Sequence, residues 1–168
     1  MPLNLLKKYN QLLDFSAMNE FQCKKSLRGV FDRDIANSSK FIFRKKQINP
    51  TPAYGQDSME RLFIHLTTVI VDKSSKKRGF DFERSIRLHW IKYHIEEKKA
   101  DNMYVFSVAE PNGTKTYIYD KDEFYVIVLE PMSKKDEYFL LTAYYLEGKD
   151  KARDKMMKKY KRRLHDVL

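Results

Sequence analysis

A chain of 168 residues is long enough for one domain with a hydrophobic core and short for two. The hydrophobic fraction of 42% excludes an intrinsically disordered chain, and the single cysteine, Cys23, excludes an internal disulfide. The net charge of +10, combined with 11 Tyr and 11 Phe, favours polyanionic partners, in particular RNA or single strands whose bases stack on aromatic rings.

The first part of the chain begins with helical spacing. Apolar side chains recur at helical intervals in residues 3–15 and 17–35, which predicts two helices. Residues 40–46 favour a short strand, and residues 48–56 hold two prolines and one glycine, which predicts a loop. The next segment, 57–72, is ambiguous, because its first half fits a helix and its β-branched end fits a strand.

Residues 78–98 predict one helix with two apolar stripes. Asp81 suits the N-cap, and lysines close the C-terminal end, where the helix dipole favours cations. The first stripe consists of Phe82, Ile86, Trp90 and Tyr93. The second stripe, on the opposite side, consists of Leu88, Ile91 and Ile95. Between the stripes lie two polar flanks: an expected solvent face of Ser85, Lys92 and Glu96, and a second flank of Glu83, Arg87 and His94.

The second flank has two interpretations. Glu83 and Arg87 have the i,i+4 spacing of an ion pair on one helix, so Arg87 fits a structural role. Alternatively, an Arg and a His enclosed between two buried stripes need a partner, and an anionic ligand would satisfy both Arg87 and His94. The sequence leaves both interpretations open.

The second half of the chain has the patterns of β-strands. Strands are predicted at 103–109, 114–119, 124–130 and 138–146, with the hairpin signal Asn-Gly between the first two. The last segment, 148–168, predicts a basic helix. Together these patterns predict an α+β fold, in which N-terminal helices precede a central helix packed on a four-stranded antiparallel sheet, and the basic helix comes last.

We expect a single domain covering residues 1–168. It would consist of a helical N-terminal layer at 1–50, a core at 57–147 and the basic helix at 148–168. No apolar run approaches the length of a membrane span, and the first residues contain no small-residue cleavage site. We therefore expect a cytoplasmic protein with no signal peptide and no membrane partner.

The residues favour a chemistry that uses no cofactor and no metal. There is no glycine-rich phosphate loop and no His/Cys cluster at zinc spacing, so acid–base catalysis with cationic stabilisation is expected. RNA cleavage fits, because the 2′-hydroxyl is an internal nucleophile that the protein only has to deprotonate. His65 and His94 are both candidates for general base or acid, and their spacing does not choose between them. Thr142 lies mid-strand, on the face expected to carry Leu140 and Tyr144.

Two motifs in the second half of the chain point to a known family. They are Arg84-x-x-Arg87-x-x-Trp90-Ile91 and Leu141-Thr142-Ala143-Tyr144-Tyr145. With the segments around them, over residues 61–146, they resemble phage-encoded nuclease domains of the barnase–EndoU–colicin–RelE superfamily. The resemblance implies a helix-plus-sheet ribonuclease that works without metal, with its active site on the open face of the sheet. The catalytic residues implied by the matching motifs are His65, Arg84, Arg87, Thr142 and Tyr144.

The leading hypothesis is a metal-independent endoribonuclease of phage or toxin type. Its expected substrate is RNA, with tRNA among the candidates, and such a toxin would need an antidote or immunity protein as partner. The alternative is a non-catalytic nucleic-acid-binding or phage-assembly module that uses the same basic surface. On either hypothesis, the RNA contacts expected in the terminal helix are Lys158, Lys159, Lys161 and Arg162.

Overall fold

The computed structural model describes residues 3–147 and 150–168, except for the side chain of Leu3, and has an α+β architecture. Its α-helices are α1 (Glu20–Phe31), α2 (Ser58–Thr67), α3 (Phe82–Ser85), α4 (Trp90–Ile95) and α5 (Asp150–Lys161). Its strands are β1 (Ile42–Phe43), β2 (Lys46–Pro50), β3 (Thr68–Asp72), β4 (Lys77–Phe80), β5 (Met103–Glu110), β6 (Gly113–Asp120), β7 (Tyr125–Pro131) and β8 (Glu137–Tyr145). The α+β class predicted from the sequence is confirmed.

Within the described residues, six strands form one mixed sheet in the order β1-β2-β8-β7-β6-β5. Strands β5 to β8 are antiparallel neighbours as predicted, and the β5–β6 hairpin closes where Glu110 pairs with Gly113. Strand β2 adds to β8 in parallel, and β1 pairs antiparallel with β2. The predicted four-stranded sheet is therefore too small, because these extra pairings join segments far apart in sequence. Strands β3 and β4 form a separate two-stranded ribbon.

The predicted first helix, 3–15, is wrong beyond its first turn. A 3₁₀ turn covers Leu3–Leu6, and the chain then folds back around the buried side chain of Asn4. Asn4 Nδ2 donates to the carbonyl oxygen of Asp14 at 3.0 Å, and Asp14 N donates to Asn4 Oδ1 at 2.8 Å. These bonds between distant residues take the place of intrahelical hydrogen bonds, which helical spacing alone does not reveal.

The second predicted helix, 17–35, begins later than its apolar spacing indicates. It starts at Glu20, because Asn19 and Gln22 form a capping box in which each side chain accepts from the backbone of the other. Beyond α1 the chain continues as a π-helix over Asp32–Ala36, so the C-terminal boundary agrees with the prediction to within one residue.

The segment before α2 contributes to the sheet. The predicted strand at 40–46 is divided into β1 and β2, and β2 extends to Pro50, so the predicted loop at 48–56 begins only after that residue. Ile48 of β2 is buried in the core, and its neighbours pair with β8. Part of the expected helical layer is therefore sheet.

The central helix is divided by a tight turn. Helix α3 ends at Ser85 and α4 begins at Trp90, and between them Arg87 N donates to the carbonyl oxygen of Arg84 at 3.2 Å, the three-residue spacing of a 3₁₀-helix. Tighter winding changes the rotation of α3 relative to α4, so the predicted arrangement of stripes along one continuous helix is wrong in part. Ser85, expected at the solvent face, is fully buried, and Phe82 is 54% exposed. Trp90 is buried as predicted.

Apolar side chains cover both faces of the sheet. On one face, Ile118, Ile127 and Leu129 belong to the larger core, which includes residues of α1, α2 and α4. On the other face, Phe106 of β5 packs in a second core with Met156 of α5. The sheet thus lies between a layer of several short helices and the single helix α5.

The terminal helix is shorter than predicted. Helix α5 ends at Lys161, and residues 148 and 149 of the prediction lie outside the described residues. After α5, Leu164 N donates to the carbonyl oxygen of Ser107 at 2.8 Å, so the last residues lie against β5 without helical structure. This contact with a sheet edge ends the helix where its apolar spacing alone would continue it.

Candidate functional site

A β-bulge in β8 determines which way the candidate residues of that strand face. The register between β7 and β8 shifts, which leaves Leu141 as an extra residue on β8. Leu140 packs in the larger core, whereas Thr142, opposite Val128, and Tyr144 face the side of α5. The prediction that Thr142 and Tyr144 share a face is confirmed, and the prediction that Leu140 shares it is wrong, because the bulge reverses the alternation.

Arg84 joins three elements around Thr142. Its Nη1 atom donates to the carbonyl oxygens of His65 at 3.0 Å and Thr68 at 3.3 Å, and to Thr142 Oγ1 at 3.2 Å. Its guanidinium carbon lies 5.8 Å from the ring centroid of Tyr144, within cation–π range. The structure therefore brings together four of the residues predicted from the sequence, one each from α2 and α3 and two from β8.

Two further arginines lie at the same place. Arg78 donates from Nε and Nη2 to the hydroxyl and carbonyl oxygens of Thr68, both at 2.8 Å. Arg61 lies on α2 and lines the cavity described below. Among the described residues, Arg61 and Arg78 form no ion pair with a carboxylate, whereas Arg84 Nε lies 3.2 Å from Asp81 Oδ2. We call Arg61, Arg78 and Arg84 the arginine cluster.

Positive charge acts on the ring of His65. Burial of the ring, and then the charges of Arg78, Arg61 and Arg84, lower the pKa of His65 below its ordinary value of 6.5. The imidazole is thus neutral near pH 7, the state in which a histidine accepts a proton. Burial and the charges of Arg84 and Arg61 also lower the pKa of Arg78. Binding of an anion would relieve this repulsion among cations.

A small cavity opens beside His65. Its volume is about 230 Å³, and its lining consists of Thr51, Ser58, Arg61, Leu62, His65, Leu140 and Leu141. Sites for drug-sized ligands have volumes of about 300–1,000 Å³, so this cavity suits a small anionic group better than a large organic ligand. The hydroxyl groups of Thr51 and Ser58 and the guanidinium of Arg61 are hydrogen-bond donors that such a group requires.

The arginines also stabilise the end of α2. The last carbonyl oxygens of a helix have no intrahelical donors, and cations are favoured beside them. Arg84 and Arg78 donate to the carbonyl oxygens of His65 and Thr68, so they cap α2 as well as carrying charge to the site. Any test of these arginines must therefore separate binding from stability.

Arg87 has contacts of a different kind. Its Nη1 atom donates to the carbonyl oxygen and to Oε2 of Glu83, each at 2.8 Å. Its guanidinium carbon lies 3.9 Å from the ring centroid of Tyr145 and 5.3 Å from that of Trp90. These contacts match the structural interpretation that the sequence left open. Of the two arginines in the first motif, Arg84 is the one that contacts Thr142 and lies near the ring of Tyr144.

His94 belongs to a separate buried network. Its Nδ1 atom lies 2.8 Å from the carbonyl oxygen of Trp90, and its Nε2 atom lies 2.8 Å from Asp120 Oδ2. Asp120 also accepts from Tyr9 and Lys99. Burial opposes ionisation of Asp120, but hydrogen bonds from His94, Lys99 and Tyr9 outweigh it and hold the pKa of Asp120 well below its ordinary value. His94 is 1% exposed, so no substrate reaches it in this structure.

The four basic residues predicted to contact RNA from the terminal helix form two pairs. Lys159 and Arg162 are engaged in ion pairs with Glu110 of β5, the latter at 3.1 Å. Lys158 and Lys161 are exposed and form no ion pair within residues 3–147 and 150–168. The second pair is therefore the more available to a polyanion.

Sequence reasoning did not identify Arg61 and Arg78 as site residues. The signal for Arg61 was its i,i+4 spacing from His65, which places both side chains on one side of α2. No comparable signal existed for Arg78, because its place depends on the pairing of β4 with β3, where it lies opposite Ile70.

Comparisons with protein-family models, with curated proteins and with solved structures find no significant match. In the part of the chain that the structure describes, no helix is long and apolar enough to cross a membrane. Within the same residues, no group of three or more His, Cys, Asp or Glu side chains could hold a metal ion. A functional assignment therefore depends on the geometry of the arginine cluster.

Proposed function

We propose that the chain is a metal-independent endoribonuclease in which the arginine cluster binds the scissile phosphate and His65 is the general base. The observation that carries this proposal is the convergence of three arginines on His65, whose pKa is lowered by burial and then by the charges of these arginines. Guanidinium groups match the geometry of phosphate oxygens, and a neutral imidazole accepts the proton of a ribose hydroxyl. One site would thus supply both the cations that bind the phosphate and the base that accepts the proton.

In the proposed reaction, His65 takes the proton of the 2′-hydroxyl group, and the 2′-oxygen attacks the adjacent phosphorus. The arginine cluster stabilises the negative charge of the phosphorane. The bond from phosphorus to the 5′-oxygen then breaks, water protonates that oxygen, and a 2′,3′-cyclic phosphate remains. Thr142 orients Arg84 through its hydroxyl group, and the ring of Tyr144 lies beside the same guanidinium.

The same proposal includes membership of the barnase–EndoU–colicin–RelE superfamily. It also includes a toxin-type role with an antidote protein, and a tRNA substrate. A second candidate function is RNA binding without cleavage. It is favoured by the position of His94, which lies in the buried network with Asp120 and leaves His65 without a second histidine at the arginine cluster. On this second candidate, His65 would contribute hydrogen bonds only.

The test is an RNA cleavage assay in the presence of EDTA. We expect the purified chain to cleave RNA and leave 2′,3′-cyclic phosphate ends, and we expect His65→Ala to lower the rate by about 10²–10⁴-fold, as for loss of a general base. His165→Ala is the matched control, because the side chain of His165 is 99% exposed, and it should cleave at the wild-type rate. RNA binding without cleavage would support the second candidate, and cleavage that EDTA abolishes would contradict metal independence.

A further inference from the structure

Two phenylalanine rings beside the arginine cluster are exposed to solvent. Phe80 is 52% exposed and Phe82 is 54% exposed. Phe80 pairs across the β3–β4 ribbon with Thr68, whose carbonyl oxygen accepts from Arg78 and Arg84. Phe82 begins α3, two residues before Arg84. Phe80 and Phe82 therefore belong to the same two segments, β4 and α3, that carry Arg78 and Arg84.

These two rings are not part of the hydrophobic interior. Neither Phe80 nor Phe82 belongs to the two hydrophobic cores of the described residues, in contrast to Phe31 and Phe63, which are buried. Proteins that hold single-stranded nucleic acids combine such exposed rings, on which bases stack, with cations along the path of the backbone. The ribbon also carries exposed lysines at its turn: Lys73, Lys76 and Lys77.

We propose that Phe80 and Phe82 form a stacking platform for unpaired bases, so that the site takes single-stranded RNA. This proposal depends on the proposed function of the arginine cluster, because the phosphate between the bases is held there. In a duplex, neighbouring base pairs cover both faces of each base, so the rings have access only to unpaired bases. Since every base has a flat aromatic face, the platform tolerates many sequences.

A protein partner is the competing occupant of this surface. The aliphatic side chains of Val69, Ile70 and Val71 in β3 are also exposed, and protein side chains would cover them. RNA is favoured because the two aromatic rings lie on the elements that carry Arg78 and Arg84, and because Arg61 and Arg78 form no ion pair among the described residues. The two occupants differ in what they require of the rings, because stacking needs a flat aromatic face and a protein contact needs only apolar area.

The experiment measures binding by fluorescence anisotropy. The first probe is a single-stranded 2′-O-methyl oligouridine of about ten nucleotides, which resists cleavage because its 2′-oxygen is methylated. The second probe is an abasic oligomer of the same length and charge. The third probe is a duplex. The wild type should bind the single strand more tightly than the abasic oligomer by roughly 5- to 150-fold per stacked base. It should also prefer the single strand to the duplex.

Substitutions of Phe80 and Phe82 test whether the bases stack on these two rings. The double variant Phe80→Leu/Phe82→Leu keeps apolar area but loses the flat rings, so it should bind the single strand no better than the abasic oligomer. Phe80→Tyr/Phe82→Tyr should restore the preference. The matched control is Phe21→Leu, because Phe21 is 74% exposed on α1, and this variant should bind as the wild type does.

The outcomes separate the two proposals. If Arg61→Gln and Arg78→Gln, both folded by circular dichroism, weaken binding of all probes while the wild type binds single-stranded and abasic oligomers equally, the phosphate site stands and the platform is overturned. If the Leu double variant, folded by circular dichroism, keeps the wild-type preference for bases, the platform is overturned as well, and the exposed ribbon is left for a protein partner. If the wild type binds none of the probes, the proposed function itself fails.

Discussion

His65 is a residue whose proton affinity is controlled by its neighbours. Burial lowers its pKa first, and the charges of Arg78, Arg61 and Arg84 lower it further. Sequence spacing could not choose between His65 and His94 as the acid–base residue. Long-range contacts separate the two histidines, because His94 is buried against Asp120 at the far end of β6, and they are the reason that the proposed reaction uses His65.

The charge of Arg78 should be visible in the titration of His65. Replacing Arg78 with Gln removes a cation that disfavours protonated imidazole, so the pKa of His65 should rise towards 6.5. The measurement is an NMR titration of the imidazole protons, which needs no enzymatic activity. Arg44→Gln is a suitable control, because Arg44 pairs with Glu97 outside the arginine cluster. An unchanged or lower pKa in the Arg78 variant would contradict the proximity of this charge.

Asp120 should carry a large share of the stability of the fold. It is fully buried and contacts His94, Lys99 and Tyr9, which come from three separate parts of the chain. Asp120→Asn leaves these groups without their anion, so the free energy of unfolding in urea should fall by about 3–5 kcal/mol at pH 7. Asp166→Asn, at a side chain that is 80% exposed, should leave it nearly unchanged.

The same carboxylate predicts a pH dependence. Because the folded-state pKa of Asp120 is lowered, its contribution to stability is complete above the unfolded-state pKa of about 3.9 and is lost as the pH falls through lower values. The difference in unfolding free energy between wild type and Asp120→Asn should therefore shrink below about pH 4. A difference that stays constant down to pH 2 would show that Asp120 does not titrate as described.

At the scale of elements, α5 presents charge to solvent on one side and to the sheet on another. Lys159 and Arg162 neutralise Glu110, whose pKa stays low despite burial because of its bonds with Lys159, Tyr117 and Arg162. Lys158 has no such partner among the described residues. Basic composition predicted one uniform RNA-binding helix, whereas packing against β5 divides its cations into two kinds.

This division predicts unequal effects on RNA binding. The double variant Lys158→Ala/Lys161→Ala should reduce the slope of log affinity against log salt by about 1.4, or about 0.7 for each lost contact with a single strand. Lys159→Ala/Arg162→Ala removes the same nominal charge but should change the slope less, because these cations already pair with Glu110. Equal changes in the two variants would mean that net charge alone attracts the RNA.

At the scale of the whole molecule, the predictable parts are those with local causes. The antiparallel strands from β5 to β8 follow from their own apolar runs and from the turn before Gly113. The division of the central helix after Ser85 and the bulge at Leu141 have no local signal, because each depends on packing against other elements. In the arginine cluster, Arg84 was predicted and Arg61 had a local signal in its spacing from His65, whereas the place of Arg78 depends on the pairing of β4 with β3.

The parallel pairing of β2 with β8 has a consequence for folding during synthesis on the ribosome. Each residue of β2 leaves the ribosome 90 residues before its partner on β8, as the pair Gln47 and Glu137 shows (137 − 47 = 90). At about 5–20 residues per second, β2 waits several seconds with one edge unpaired, the condition in which nascent chains aggregate. Its sequence suits this delay, because Lys46 and Pro50 at its two ends are residues that discourage pairing with foreign strands, and Ile48 is its single large apolar side chain.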